Sequence, residues 1–362
     1  MMGAKGYSSY RGRGPKWKIL IAFLLVVIIA VSLSVIYLGE HIVYSSDGRR
    51  QIVLPWQREE NDAPSTGDQE DPEPQPDVDV VVEDPETPEP KETVARSLPA
   101  APVTKDRWGE FKSGLASAGA NCNAVAVRLK TSNGTVYFDS ANAVSGAVEL
   151  SKDLGETMDT LALITSEEGM HTIASIACLQ DFKAANADVE GRGLKNTGGY
   201  IFYDGNNSLW LDPAKPSTRE YLCALAKEIA ELGFDELLLT DFSYPTVGKI
   251  NKIHYNTDVS LADNLDLLLS DLNTALEPYD ILLSVEVPEA VIAGGPDTVA
   301  GQDLSRLVSR VDRIYAVTTP EKVETLSNLV AQASGADKKT EFVPELTADS
   351  PTVVGSRLIL AE

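Results

Sequence analysis

The chain has 362 residues, 54 acids against 31 bases, a net charge of −23 and 43% hydrophobic residues, enough for one large folded domain. That acidity argues against nucleic acid or an anionic lipid surface as the partner of the folded part. With three cysteines, no CxxC, histidines only at positions 41, 171 and 254, and no phosphate-binding or dinucleotide-binding glycine loop, neither a metal nor a cofactor is expected.

Residues 1–18 form a basic tail with Lys5, Arg11, Arg13, Lys16 and Lys18 and no acid. Ile19 to Leu38 then run twenty residues without a charge, about 30 Å as a helix, one hydrocarbon core. The pattern predicts an uncleaved single-pass transmembrane helix that contacts the lipid bilayer through residues 19–38. It leaves the N-terminus cytoplasmic and the rest extracytoplasmic. A cleaved signal peptide is the rival, but its apolar region is shorter and ends in small residues, whereas this one ends Ile36-Tyr37-Leu38. Residues 39–104 read as an extracytoplasmic linker. Nine of the twenty prolines fall in 57–104, and between Gln57 and Glu92 fourteen acids face only Arg58 and Lys91. Such a segment buries too little apolar surface to offset its ordering entropy and is expected to be a disordered stalk.

Residues 105–362 hold the periodic elements. Trp108–Ala118 reads as a helix. Ala124–Lys130 reads as a strand, continued as a hairpin through Asn133-Gly134 to Tyr137. A helix near Met158–Glu168, a strand at His171–Cys178 and a short arm at Tyr200–Tyr203 follow. The segment Trp210–Pro245 is the most regular. Ser217 and Glu220 form an S-x-x-E capping pattern after Pro216. Tyr221, Leu222, Leu225, Ile229 and Leu232 share one helical face, and Gly233 supplies a left-handed stop. Leu237, Leu238 and Leu239 then run as a strand covered on both faces, which leaves Thr240, Asp241 and Ser243 at its C-terminal end. In parallel α/β folds that is where ligands bind. A helix at Ser260–Leu276, a strand at Ile281–Val287, a short helix at Asp303–Val308, a strand at Arg313–Val317 and a helix from Pro320 toward Gly335 continue the alternation. Glu341–Pro344 and Arg357–Leu360 are the last strand candidates. Seven or eight strands in this length predict a (β/α) TIM-like barrel rather than an open doubly wound sheet, with its final closure left open. Cys122, Cys178 and Cys223 each lie in an apolar element and are expected as small buried hydrophobes.

Four segments carry a family resemblance: Asn123-Ala124-Val125 through Lys130 with Gly134 and Tyr137; Thr172–Asp181; Trp210-Leu211-Asp212-Pro213 through Gly233-Phe234-Asp235-Glu236; and Leu283–Val287. A fifth, weaker match runs from Val311-Asp312 to Pro320. Together they resemble a bacterial family described as a putative glycosyl hydrolase domain. The resemblance implies a TIM-like barrel directed at a glycan. Several motif positions are replaced. Thr240 stands for the family's strand-end aspartate, Asp241 for a tyrosine and Ser243 for an arginine. Arg128 replaces the aspartate of the first strand and Thr131 the acid that follows its lysine. Ser175 replaces the arginine of the second strand and Thr319 a tyrosine. Lys130 is kept, and Glu286 stands for an aspartate.

Strand periodicity adds geometry. Ala124, Ala126, Arg128 and Lys130 share one face, and Val125, Val127 and Leu129 the other. With the large apolar set against the helices, the mouth is expected to hold Arg128, Lys130, Ser175, Thr240, Ser284 and Glu286, with one carboxylate. Asp241 faces away unless a bulge re-aims it. Glycoside hydrolysis needs two carboxyl groups. The expected catalytic pair is therefore Glu286 with a re-aimed Asp241, and the substrate-binding set is Arg128, Lys130, Thr240, Ser284 and the stacking side chain of Trp210. One mouth carboxylate beside Arg128 favours instead a degenerate or glycan-binding member, with Glu286 in a structural ion pair. The partner in either case is an envelope or environmental glycan.

Overall fold

In the computed structural model the described residues are 92–99, 102–118, 122–149, 154–255, 258–335 and 339–361, together with the strands Ile42–Tyr44 and Arg50–Ile52. Those two strands pair antiparallel within a separate N-terminal unit. The apolar run 19–38 and residues 57–91 lie outside the described residues. Among the described residues no helix is long and apolar enough to cross a membrane.

The second unit is a closed barrel of eight parallel strands, each hydrogen-bonded to the next in chain order. They are β1 (Val94–Ser97), β2 (Ala124–Lys130), β3 (His171–Ala177), β4 (Glu236–Thr240), β5 (Leu282–Glu286), β6 (Arg313–Val317), β7 (Glu341–Leu346) and β8 (Arg357–Ile359). The ring closes where Arg357, Leu358 and Ile359 pair with Val94, Ala95 and Arg96. Two expectations are corrected here. The barrel begins inside the stretch assigned to the linker, because Val94–Ser97 supplies its first strand. The seventh strand also does not stop at Pro344. It runs on to Leu346, and Pro344 is tolerated because its missing N–H falls on the side facing β8, whose pairing with this strand begins only at Glu345.

Alternation sorts the side chains. Val125, Val127 and Leu129 point outward and are fully buried with Leu161 and Ile164 in the layer between strands and helices. Ala95, Ala124, Ala126, Ile173, Leu238, Tyr315, Val343 and Leu358 fill the barrel interior. Small alanines on β1 and β2 leave room for the larger side chains opposite.

The outer helices are α1 (Lys105–Ala118), α2 (Leu154–Thr165), α3 (Phe182–Ala187), α4 (Pro216–Glu231), α5 (Leu261–Leu276), α6 (Glu289–Gly294), α7 (Leu304–Leu307) and α8 (Val323–Ser334). Helix α4 buries Tyr221, Leu222, Leu225 and Ile229, and Gly233 ends it at φ +85°. The expected capping box does not form. Pro216 takes the first helical position, where its missing N–H costs nothing, so Lys215 becomes the cap and Ser217 falls inside the first turn. Ser260 does cap α5, its hydroxyl accepting from the Asp263 amide at 3.0 Å. After β2 the chain makes a tight turn rather than a full hairpin arm. A lone antiparallel bridge joins Lys130 to Val136, with Gly134 at φ +84°.

Candidate active site

Two polar layers lie at opposite ends of the barrel. At the N-terminal end Glu236 is fully buried and fully partnered. His171 Nε2 lies 2.8 Å from its Oε2, Arg313 Nη1 donates to the same oxygen at 2.8 Å, and the Tyr315 hydroxyl donates to Oε1 at 2.7 Å. The Ser284 hydroxyl also donates to Oε1, and Arg313 Nε reaches Glu341 at 2.8 Å. Burial opposes the Glu236 charge, but the His171 bond and the Arg313 guanidinium outweigh it and lower its pKa. Ser284, expected at the mouth, belongs to this closed layer. Its register partner on β6 is Arg313, one inward position below Glu286.

The C-terminal end opens into a cavity of about 420 Å³. Arg128, Ser175, Thr240, Glu286 and Glu345 line it, over an apolar floor that includes Leu238 and Leu358. Glu345 is the residue that the sequence did not suggest. On β7 it shares its face with Glu341 and Val343, and it is 4% exposed. Its signal was present: continuing the period-two pattern past Pro344 places Glu345 inward. The mouth therefore holds two glutamates.

Burial, followed by the charge of Glu286, raises the Glu345 pKa to about 8, against the pull of Arg128. Glu286 is raised as well, by burial and then by the charge of Asp241, again opposed by Arg128. At neutral pH the pair holds a proton, because two like charges in a half-dry cavity do not both ionise. Asp241 sits just past β4 at φ +51°, an uncommon conformation for a residue other than glycine. Its pKa is raised by burial, against the attraction of Arg128 and Lys130, and its charge acts on Glu286. No hydrogen bond or ion pair joins the side chains of Arg128, Glu286 or Glu345 to any described residue, so the expected Glu286 ion pair with Arg128 or Lys130 is absent. Ser175 is 5% exposed, and its hydroxyl has no partner among the described residues.

Besides Ser284, two expected ligand-binding residues lie elsewhere, Lys130 and Trp210. The β2–β3 register shifts between Arg128 and Lys130, and this irregularity turns Lys130 away from the cavity. Its ammonium is fully buried, 2.8 Å from Asp181 Oδ2, and donates to the Ala177 carbonyl. Asp181 also accepts from the Ala184 amide at 2.8 Å, capping α3, and from the Tyr221 hydroxyl at 3.2 Å. Removing one partner of such a pair costs about 3–5 kcal/mol. Gly134 fits against it, since a Cβ there would lie 2.2 Å from Asp181 Oδ1. Trp210 is 7% exposed within the outer core, and its indole N–H donates to Asp204 at 3.0 Å. All three cysteines are free. Cys178 is buried, which pushes its pKa up to about 12.

The family model described as "Putative glycosyl hydrolase domain" matches residues 111–336. Similar solved structures include a hypothetical protein from Ruminiclostridium thermocellum (22% identity, 50% of this chain, 91% of that one, TM-score 0.39). They also include the PgaB (BpsB) glycoside hydrolase domain from Bordetella bronchiseptica (14%, 71% and 84%, TM-score 0.45). A third is a chitinase from Chromobacterium violaceum (14%, 70% and 68%, TM-score 0.39). None of the curated proteins compared with the chain matches it.

Proposed function

The chain belongs to the family of putative glycosyl hydrolase domains, and from that premise we propose that its barrel cleaves a glycan at the mouth holding Glu286 and Glu345. The observation that carries this reading is a second carboxyl group in the mouth: Glu345 lines the same cavity as Glu286, and burial together with the charge of Glu286 raises its pKa. In its protonated form Glu345 is the general acid that passes a proton to the leaving glycosidic oxygen as the C–O bond breaks. The ionised partner, Glu286, faces the developing positive charge and either attacks it or activates the water that completes hydrolysis. Arg128 keeps part of the carboxylate population charged. Asp241 acts through its charge on Glu286. The Ser175 hydroxyl is free to meet a substrate hydroxyl, and Thr240 lines the same wall.

A non-catalytic glycan-binding barrel is the second reading. It is favoured by Arg128 and Thr240, which stand where the resembling family has aspartates. The full chain, incubated with a panel of polysaccharides, separates the two. Glu345→Gln and Glu286→Gln should each lower kcat by about 100-fold or more, and wild-type activity should fall as pH rises through about 8. Binding with no hydrolysis in any protein would establish the second reading instead.

The basic tail and the apolar run 19–38 support an anchor that places this barrel outside the cytoplasm, raised on the Pro- and acid-rich stalk. Protease added to intact cells should then remove the barrel and spare the N-terminal tail.

A further inference from the structure

The long excursion between β3 and α4 carries a feature that the mouth chemistry does not use. Tyr200 and Tyr203 are 76% and 49% exposed, and the turn that bears them is built with care. The Asn196 side-chain carbonyl accepts from the Gly198 amide at 2.8 Å and from the Tyr200 amide at 3.3 Å. The Asn196 amide donates to the Tyr200 carbonyl at 2.8 Å, and Gly199 takes φ +83°. The Tyr200 ring lies over Gly198, with Cδ2 3.4 Å from where a Cβ would sit. Held on an ordered turn, these two exposed rings offer flat apolar surface to a ligand.

This turn is fastened to the loop after β4. Asn196 bridges Ile253, the Thr197 amide donates to the Lys252 carbonyl at 2.8 Å, and the His254 amide donates to Lys195 O at 2.8 Å. Gly205 and Gly248 meet so closely that a Cβ on Gly248 would lie 2.5 Å from the Gly205 nitrogen. Between the two loops is a cavity of about 360 Å³, lined by Asn196, Ile201, Phe202, Tyr203, Lys249 and Lys252. Its size suits a small ligand or one unit of a longer chain. Both loops follow strand C-termini, so this cavity opens on the same face of the barrel as the mouth. Its charge is local and positive in a strongly acidic chain. Lys195 is satisfied by Glu190 at 2.8 Å, whereas the Lys249 and Lys252 ammonium groups have no acidic partner among the described residues.

We propose that this second cavity is a saccharide subsite for a carboxylate-bearing sugar of the uronic acid type. The sugar's C–H face rests on Tyr203, and its carboxylate lies between Lys249 and Lys252. The proposal rests on the glycan-directed reading of the barrel. Aromatic rings supply a flat apolar surface at little entropic cost, and the two ammonium groups select the acid over its neutral ester.

Titration calorimetry of the detergent-solubilised full chain tests this with tetragalacturonate and its fully methyl-esterified form. The acid should bind about tenfold more tightly than the ester, with a preference that fades at high salt. Lys249→Gln combined with Lys252→Gln should abolish the preference. Tyr203→Ala should weaken both ligands by about tenfold. Near-UV circular dichroism establishes that each variant is folded, and the lysine pair, being exposed, serves if Tyr203→Ala is not. Equal affinity for acid and ester, no binding of either, or a preference that survives the lysine substitutions would overturn the subsite. Hydrolysis need not occur for this measurement. A failed Glu345→Gln result therefore counts against the mouth chemistry alone, and unchanged binding in the lysine variant counts against the subsite alone.

Discussion

The two ends of the barrel hold nearly the same inventory of side chains in opposite states. At the N-terminal end Glu236, Arg313, His171, Tyr315 and Ser284 form a closed set, in which both carboxylate oxygens of Glu236 have partners within hydrogen-bond distance. At the C-terminal end Glu286, Glu345, Arg128 and Ser175 face one another across a cavity with no hydrogen bond or ion pair to a described residue. Buried polar groups are normally paired, and those left open at a barrel mouth are available to a ligand. The closed layer holds the strands together. The open one gives up stability for the ability to bind.

Substitutions at the two ends sharpen that contrast. The largest effect is expected from Glu236→Ala, which leaves Arg313 buried without its main counter-charge. Denaturant titration should show a loss of about 3–5 kcal/mol. Glu345→Gln should act the other way, and only in a pH window. The folded-state pKa of Glu345 is raised above its unfolded value, so its contribution to stability is complete below about pH 4 and is lost as pH rises through about 8. The glutamine variant escapes that loss. Its unfolding free energy, read by denaturant titration, should exceed the wild type's by an amount that grows as pH rises across that window, and should match it in acid. A variant no more stable than the wild type at pH 8 would mean that Glu345 is not held protonated. The smallest effect belongs to Ser175→Ala. With no bond to break, it should change stability by less than about 0.5 kcal/mol. A loss above 1 kcal/mol would show that its hydroxyl is engaged after all.

How much was legible depends on the scale at which the sequence speaks. The alternation AVAVR in β2 placed Arg128 inward without coordinates, and the run Leu237–Leu239 identified a strand buried on both sides. The same rule failed for Lys130, two residues further on, because a shift in pairing register depends on the neighbouring strand and leaves no mark in local composition. Glu345 was hidden by Pro344, which locally reads as a strand end although β7 continues through it. Val94–Ser97 was hidden by its surroundings. Four residues beside a proline-rich acidic segment carry no periodicity, and they become a strand only because β8 and β2 flank them. Asp241 could be flagged as dependent on a local irregularity, but its positive φ came from the fold. Pairings between distant segments decide these cases, and a single window of sequence does not contain them.

The seam between β8 and β1 has a consequence for biosynthesis. It is stitched by the Thr93 amide donating to Ser356 and the Ala361 amide donating to Ser97, bonds that join residues more than 260 positions apart. A growing polypeptide cannot complete this ring until residues 357–361 have left the ribosome. For most of its synthesis the nascent sheet has two bare edges, which invite pairing with other chains.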